Sequence, residues 1–200
     1  MRLLFEMKRL FDFFASLFGL IILSPLFIII SLLIGFGSKG GILYRQIRVG
    51  KDNKDFKVYK FRSMVVDSDK KGLLSIGKDG RDPRVTKIGY VIRKYKLDEL
   101  PQLINVIKGE MSLVGPRPEV RKYVDLYTEE EKQVLKVKPG ITDIASITFR
   151  NENDLLAQSA DPQEYYIKEI MPQKLALSLS YIQKRTFLSD LKLIFKTIIG

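Results

Sequence analysis

Asp98 and Glu99 form an adjacent acidic pair in a basic part of the sequence, close to Arg93, Lys94 and Lys96. The chain contains no histidine and no cysteine, which excludes the usual general base, a thiol nucleophile and a thiolate metal site. Catalysis would therefore depend on carboxylates, lysine, tyrosine, hydroxyl groups or a cation bound by oxygen atoms. A hard ion such as Mg²⁺ fits these side chains best.

The residues that follow the acidic pair predict where it lies. Apolar side chains recur with helical spacing at Leu97, Leu100, Leu103, Ile104 and Ile107. Pro101 is tolerated only in the first turn of such a helix, so we expect Asp98 and Glu99 at or just before its N-terminus. There the two carboxylates could share a ligand. Alternatively, Asp98 could simply cap the helix, which is worth about 1 kcal/mol, and the residues alone favour the cap.

Basic side chains at three other places are candidates for phosphate binding. Arg117 lies between two prolines, which fix the backbone and hold the guanidinium at little entropic cost. Arg84 follows an Asp-Pro pair in a similar but weaker arrangement. Lys60 and Arg62 would share one face of a strand and could clamp a phosphate. A rigid turn with a solvated arginine and a solvated basic strand edge are the alternative interpretations.

The formal net charge is +11, from 34 Lys and Arg against 23 Asp and Glu. A basic surface suits nucleic acid, phosphorylated small molecules or anionic lipid, and the charge does not choose among them. Hydrophobic residues make up 46% of the chain, which excludes a disordered protein.

Residues 13–38 form an uncharged, apolar run that predicts a membrane segment. As a helix this run would extend about 39 Å, against a hydrocarbon core of about 30 Å. Pro25 in the Ser24-Pro25 pair should break the helix in its middle. Basic residues flank the run on both sides, which would keep both ends in the cytoplasm. These features favour a re-entrant helix over a spanning one, although many spanning helices also contain proline.

The remaining sequence predicts an α+β body that is mostly helical. Residues 42–48 and 56–61 are typical of a β-hairpin, and residues 66–83, which include Gly72, Gly77, Gly80 and Pro83, of a long mobile loop. Helices are predicted over residues 89–95, 97–107, 119–136, 163–183 and 187–199. The last of these could be a core helix or lie in the membrane interface.

A long ordered set of motifs resembles the bacterial sugar transferases, also called monotopic phosphoglycosyl transferases. Residues 96–118 carry the most specific part, from Lys96-Leu97-Asp98-Glu99-Leu100-Pro101-Gln102 to Gly115-Pro116-Arg117-Pro118. Six shorter matches accompany it: Lys8-Arg9 with Asp12, Ser24-Pro25, Gln46-Ile47-Arg48-Val49-Gly50, Lys60-Phe61-Arg62-Ser63-Met64, Asp82-Pro83-Arg84 and Lys138-Pro139-Gly140-Ile141-Thr142. The resemblance covers roughly residues 5–145.

The resemblance implies a re-entrant helix over residues 1–38, broken at Ser24-Pro25, and a catalytic domain over residues 39–200. This domain would rest on the cytoplasmic face of the bacterial inner membrane, with interfacial amphipathic helices. Its reaction would join a UDP-sugar and a polyprenyl (undecaprenyl) phosphate to give polyprenyl-diphospho-sugar and UMP, as the first membrane step of glycan assembly. Mg²⁺ would be the cofactor. The sequence does not determine the oligomeric state, and a homodimer is one possible arrangement.

The resemblance also implies roles for individual residues. Asp98 would be the nucleophile that carries the sugar phosphate as an aspartyl phosphate, and Glu99 would be catalytic as a metal ligand or, alternatively, a base. Arg93 and Arg117 would hold the diphosphate, with Lys60, Arg62 and Arg84 as further substrate-binding candidates.

Residues 143–153 depart from many members of the family, which leaves the identity of the sugar open. Two rival functions explain less of the sequence. A nucleic-acid-binding protein would account for the charge but not for the apolar run, and there is no recognised nucleic-acid-binding motif. A non-catalytic membrane adaptor would leave Asp98, Glu99 and Arg117 without a role.

Overall fold

The computed structural model describes residues 2–68, 72, 74 and 82–199, and over these the chain has the predicted α+β fold. Gly77 and Gly80 of the predicted mobile loop lie outside the described residues. The helices are α1 (Arg2–Ile22), α2 (Ser24–Gly37), α3 (Lys87–Lys94), α4 (Gln102–Lys108), α5 (Arg121–Val124), α6 (Ile144–Thr148), α7 (Glu152–Gln158), α8 (Pro162–Tyr165), α9 (Met171–Lys184) and α10 (Phe187–Ile199). The strands are β1 (Leu43–Val49), β2 (Asp55–Phe61), β3 (Ser112–Val114) and β4 (Gly140–Thr142).

The break between α1 and α2 lies at the predicted Ser24-Pro25 pair, and the two helices are bent by 62°. Pro25 has no N–H to donate to the carbonyl of Ile21, one turn earlier. The Ser24 hydroxyl donates to that carbonyl instead, at 2.7 Å, so the serine compensates for the bond that the proline removes. Among the described residues no single helix is long and apolar enough to cross a membrane, whereas α1 from Glu6 onward and α2 meet both criteria together.

Three side chains of α1 fix this helix to the body. Arg9 donates to the carbonyls of Val106 and Ile107 at 2.6 and 2.8 Å, and so satisfies the last turn of α4. Lys8 pairs with Asp190 of α10 at 2.6 Å. Asp12 accepts a hydrogen bond from the Ser112 hydroxyl of β3 at 2.7 Å. The apolar N-terminal helix is therefore docked on the same helix that follows the acidic pair.

The predicted hairpin is confirmed as the antiparallel pair β1–β2, in which Tyr44 lies opposite Lys60 and Arg48 opposite Phe56. Val58 and Phe61 of β2 are buried on opposite faces of the strand: Val58 clusters with Val106 of α4, and Phe61 with Ile30 and Ile34 of α2. The hairpin and α4 together therefore place Lys60 beside the residues that precede α4.

Asn105 joins α4 to the hairpin and is completely buried. Its amide nitrogen donates to the Lys57 carbonyl at 2.8 Å and to Glu110 at 2.7 Å, and its oxygen accepts from the Tyr59 N–H at 3.0 Å. An alanine would leave the strand's N–H and carbonyl without these partners inside the protein.

We therefore expect Asn105→Ala to lower the free energy of unfolding by about 3 kcal/mol. Chemical denaturation of the purified protein, followed by circular dichroism, measures this change. Gln133→Ala removes an exposed amide that donates to the Glu129 carbonyl, and this control should change stability by less than about 0.5 kcal/mol. Equal effects of the two substitutions would contradict the prediction.

The short parallel pair β3–β4 has no counterpart among the sequence predictions. Ser112 lies opposite Gly140 and Val114 opposite Thr142, and the N–H of Gly115 donates to the Thr142 carbonyl at 3.0 Å. A Cβ atom added at Gly140 would overlap the backbone of Gly115, so both glycines serve the close approach of two chain segments. This contact fixes the start of the segment that carries Arg117.

The predicted helix over residues 119–136 is wrong. The structure has only α5 and a 3₁₀ helix (Glu131–Lys136). Thr128 and Glu131 form a reciprocal cap: the Thr128 N–H and hydroxyl donate to the Glu131 carboxylate, and the Glu131 N–H donates back to the Thr128 hydroxyl. A capping box starts a new helix, and this one interrupts the charged stretch at Thr128.

The predicted helix around Pro172 is confirmed, with one π turn (Tyr166–Ile170) that joins α8 to α9. Pro172 cannot donate to the carbonyl four residues earlier, and the wider turn accommodates this, since the Met171 N–H reaches the Tyr166 carbonyl five residues back. Tyr166 and Ile170 of the π turn are buried in a core with Val49, Val124 and Leu156.

The predicted C-terminal helix is confirmed as α10. Asp190 and Leu193 are buried against the body, whereas Leu188 and Phe195 are 75% and 66% exposed. The helix thus has both a packed side and an exposed apolar side.

Candidate active site

Asp98 and Glu99 lie in a 3₁₀ turn (Leu97–Glu99) between α3 and α4, at the predicted N-terminal end of the helix. Lys96 starts this turn in the left-handed region, with φ of 56°, and Pro101 immediately precedes α4. Neither the turn nor α4 begins with a side-chain cap hydrogen bond, so the capping interpretation of Asp98 is wrong. Asp98 is instead a buried carboxyl group, 6% exposed.

Glu99 lies at the centre of an ion-pair cluster with Lys60 and Arg117. The Lys60 ammonium donates to Oε1 at 2.8 Å. The Arg117 guanidinium donates through Nη1 to Oε2 at 3.0 Å and through Nη2 to Oε1, so this pair is bidentate. Basic residues from β2 and from the segment after β3 thus meet at a carboxylate that belongs to the turn before α4.

The three charged groups of this cluster have shifted pKa values. Burial alone would raise the pKa of Glu99, but Arg117 and Lys60 outweigh burial and hold that pKa well below its usual range. Burial lowers the pKa of the Lys60 ammonium, against the attraction of Glu99. The negative charge of Glu99 raises the pKa of Arg117 against the opposing effect of burial. Glu99 is therefore ionised at neutral pH and firmly held.

Asp98 has the opposite shift from its neighbour. Burial raises the pKa of Asp98, and the negative charge of Glu99 adds to this rise. The positive charges of Lys60, Arg93 and Lys96 oppose it. Two adjacent carboxyl groups with pKa values pushed apart are typical of residues with different chemical tasks.

Arg62 does not join Lys60 at this carboxylate. It is buried just beyond β2, and its guanidinium donates to the carbonyls of Ser38, Lys39 and Gly41, with the Ser38 bond at 3.0 Å. These contacts hold the segment that joins α2 to β1. The residue still lines the same cleft as Asp98.

Arg84 also has most of its donors engaged within its own loop. It pairs with Asp82 at 2.6 Å and donates to the carbonyls of Gly72 and Leu74 at 2.5 and 2.6 Å. Arg84 lines the same cleft, and it could contact a substrate only if some of these bonds exchange. A role for Arg62 or Arg84 in direct substrate contact stays a prediction.

One open cleft of about 1580 Å³ joins the acidic pair to more distant polar residues. Asp98, Glu99, Lys60, Arg93 and Arg117 line it, as does part of the atypical stretch 143–153. The sequence-predicted basic residues are thus brought together around a space large enough for a nucleotide-sized ligand.

The carboxylates of this site are compatible with Mg²⁺. Within residues 2–68, 72, 74 and 82–199 there is no group of three or more acidic residues able to enclose a metal ion. Phosphate-handling enzymes usually hold Mg²⁺ with one or two carboxylates and complete its coordination with substrate phosphates and water. Asp98 and Glu99 supply such a pair, since Glu99 Oε2 accepts one hydrogen bond from the described residues and keeps a free lone pair.

A second charged cluster that the sequence analysis did not predict lies next to Arg117. Glu119 accepts hydrogen bonds from Arg48 at 2.7 Å and from the Tyr166 hydroxyl at 2.7 Å. Burial alone would raise the pKa of Glu119, but Arg48 and Tyr166 help to hold it below its usual value. Arg48 belongs to the Gln46–Gly50 motif noted above, which was the available signal.

Known proteins are similar in sequence to this chain over nearly its whole length. The model of a family described as bacterial sugar transferase matches residues 3–200. The exopolysaccharide production protein ExoY of Sinorhizobium fredii is 36% identical over 204 residues, which cover 96% of this chain and 83% of that protein.

Two longer relatives carry names that specify a reaction. The UDP-glucose:undecaprenyl-phosphate glucose-1-phosphate transferase of Klebsiella pneumoniae is 39% identical over 195 residues, which cover 96% of this chain and 39% of that protein. The UDP-N-acetylgalactosamine-undecaprenyl-phosphate N-acetylgalactosaminephosphotransferase of Aeromonas hydrophila is 39% identical over 194 residues, or 96% of this chain and 42% of that protein.

Proposed function

The chain belongs to the bacterial sugar transferase family and is a phosphoglycosyl transferase, and we propose that it transfers a sugar 1-phosphate from a UDP-sugar to polyprenyl phosphate. The products would be polyprenyl-diphospho-sugar and UMP. The names of the relatives from Klebsiella and Aeromonas support this reaction class, with undecaprenyl phosphate as the acceptor. They differ in the sugar, so the UDP-sugar used by this chain is a separate question.

The observation that carries the mechanism is the contrast between two adjacent carboxyl groups. The Glu99 carboxylate is paired with Lys60 and Arg117. The Asp98 carboxyl group, in contrast, does not cap a helix. Asp98 therefore stands beside a fixed group of positive charges that would attract and orient a diphosphate. A carboxylate is also a sufficient nucleophile in a chain without histidine or cysteine.

In the proposed first step, a carboxylate oxygen of Asp98 attacks the β-phosphorus of the UDP-sugar. A bond forms between this oxygen and phosphorus, and the bond from phosphorus to the bridging oxygen breaks, so UMP leaves with the electron pair. Arg117 and Arg93 would hold the phosphate oxygens during this displacement, together with Lys60, and all three side chains line the cleft. Mg²⁺, when bound by the carboxylates and the diphosphate, would neutralise negative charge on the leaving UMP.

In the second step, an oxygen of the lipid phosphate attacks the same phosphorus. The aspartyl–phosphorus bond breaks and the Asp98 carboxylate is restored. The burial of Asp98 limits the access of water to the aspartyl phosphate, which would otherwise hydrolyse. Two sequential displacements at one phosphorus predict ping-pong kinetics.

A UMP-release assay with undecaprenyl phosphate and a panel that includes UDP-glucose and UDP-N-acetylgalactosamine tests this function. We expect release from one or a few members of the panel, and release that depends on the lipid beyond the first turnover. A nucleotide sugar labelled in its β-phosphate should also label the protein when the lipid is omitted. No UMP from any donor of the panel would contradict the proposal.

We also propose that α1 and α2 enter and leave the cytoplasmic face of the bacterial inner membrane as a re-entrant helix. Exposed apolar side chains on both helices support this, among them Phe14, Phe18, Ile28 and Phe36, as does the 62° bend. A cysteine inserted between Met1 and Arg2 should react with a membrane-impermeant maleimide only after the cells are opened. Labelling of intact spheroplasts would instead indicate a spanning helix.

A further inference from the structure

Glu119 connects three parts of the protein through one carboxylate. Its Oε1 accepts hydrogen bonds from Arg48 Nη1 at 2.7 Å and from the Val120 N–H at 2.8 Å, and its Oε2 accepts from the Tyr166 hydroxyl at 2.7 Å. Arg48 lies near the end of β1 and Tyr166 lies in the π turn before α9. The Glu119 side chain is only 17% exposed, so these bonds are shielded from water.

The backbone around Glu119 is held as firmly as its side chain. The Val49 N–H donates to the Glu119 carbonyl at 2.8 Å, and Arg48 Nη1 also donates to the Pro118 carbonyl at 3.2 Å. Gln46 fixes Arg48 in turn, because its amide oxygen accepts from Nε and Nη2 of that guanidinium at 2.9 and 2.7 Å. The end of β1 thus holds the backbone of Pro118 and Glu119, immediately after Arg117.

Arg117 lies between two fixed points of the chain. Upstream, the Gly115 N–H bonds to Thr142 and the Gly140 N–H bonds to the Pro116 carbonyl, so β4 holds the segment. Downstream, only Pro118 separates Arg117 from Glu119, and a proline restricts φ to a narrow range. A shift of the Glu119 carboxylate would therefore move the Cα atom of Arg117, and with it the guanidinium that pairs with Glu99.

We propose that Glu119 and Tyr166 are positioning residues that act on the transfer reaction through Arg117. This inference rests on the proposed function, since it assigns Arg117 to the reacting diphosphate. The Tyr166 hydroxyl fixes the carboxylate of Glu119, Glu119 fixes the backbone after Arg117, and Arg117 fixes Glu99 and the substrate phosphates. The π turn contributes to this arrangement, because it contains the tyrosine whose hydroxyl bonds to Glu119.

Tyr166→Phe tests the proposal, because it removes only the hydroxyl and keeps the ring that packs on Tyr123 with centroids 4.9 Å apart. We expect kcat for UMP release to fall about tenfold, as misplacement of an orienting group does, while the melting temperature falls by only several degrees because one hydrogen bond to a shielded carboxylate is lost. Tyr181→Phe is the matched control, since it removes a hydroxyl that donates to the Asp190 carboxylate, which does not line the cleft. This control should keep kcat within about twofold of wild type.

A double-mutant cycle with Arg117→Lys separates positioning from a general loss of structure. If Tyr166 acts through Arg117, Tyr166→Phe should lower kcat less than about twofold when Arg117 is already lysine. A full tenfold loss in that background, or no loss in the wild-type background, would overturn the inference. Glu119→Gln provides a second arm with the same expected coupling, should Tyr166→Phe not fold.

The donor in these assays is the UDP-sugar that the wild-type protein turns over fastest, with undecaprenyl phosphate as acceptor. A wild-type protein without UMP release would contradict the proposed function itself. An active wild type whose Tyr166 and Arg117 variants behave independently would contradict only the positioning role.

Discussion

Asp98→Asn is expected to lower UMP release by at least about a thousandfold, because the substitution removes the proposed nucleophile while it keeps the shape of the side chain. An amide oxygen is a poor nucleophile toward phosphorus and cannot form the proposed acyl phosphate. The protein should also no longer take up label from a β-³²P-labelled UDP-sugar. UMP release and autoradiography of the denatured protein measure the two losses independently.

Asp161→Asn provides a matched control for this experiment. Asp161 caps α8, where its carboxylate accepts from the N–H groups of Gln163 and Glu164 at 3.0 and 2.9 Å. Asparagine caps a helix about as well as aspartate, so Asp161→Asn should change activity less than about twofold. If Asp98 had only a capping role, its asparagine variant would behave in the same way. More than a tenth of wild-type activity in Asp98→Asn would rule out the covalent mechanism.

The sequence predicted those parts of the fold that depend on local chemistry. Ser24-Pro25 breaks the N-terminal helix because Pro25 lacks the N–H that would bond to the carbonyl one turn earlier. The alternation of apolar and basic residues over 56–61 likewise predicts a strand from neighbouring residues alone. The parallel pair β3–β4 could not be predicted in this way. Each strand has three residues, and their pairing depends on two glycines that are 25 positions apart in sequence, Gly115 and Gly140.

The site was predictable in its residues but only partly in its contacts. The resemblance pointed to Lys60, Arg117 and Glu99, and the fold brings these three side chains together. Sequence spacing also suggested that Lys60 and Arg62 clamp one phosphate, yet Arg62 turns to the carbonyls after α2. Those carbonyls come from a distant segment, and a pattern of strand faces carries no information about them. Glu119 was missed for the same reason, since its partners Arg48 and Tyr166 are far away in sequence.

From the sequence alone, Glu99 had two open roles, as a metal ligand or as a general base. Its pKa is held well below the usual range by Arg117 and Lys60, which together outweigh burial. A general base works best when its pKa lies near the working pH, so this environment argues against a base. A permanently ionised carboxylate is suited to bind a cation and to fix the two basic side chains that face it.

Glu99→Gln is expected to lower kcat for UMP release by about a hundredfold to a thousandfold, as does the loss of a group that organises charge at a reacting phosphate. Lys60 and Arg117 would lose their shared counter-charge and repel each other across the neutral amide. If Glu99 also binds Mg²⁺, the half-saturating Mg²⁺ concentration should rise at least about tenfold. Steady-state UMP release at increasing Mg²⁺ concentrations measures both quantities in one experiment.

Two further variants decide which of these roles dominates. Glu129→Gln neutralises an exposed carboxylate that pairs with Lys132 outside the cleft, and it should leave kcat and the Mg²⁺ requirement within about twofold of wild type. Arg117→Lys retains a positive charge but loses the bidentate contact to Glu99. If Arg117→Lys lowers kcat while the Mg²⁺ requirement stays constant, and Glu99→Gln changes both, then Glu99 has two separate tasks. An unchanged Mg²⁺ requirement in Glu99→Gln would assign it to the ion-pair cluster alone and leave Asp98 and the diphosphate as the ligands of the metal.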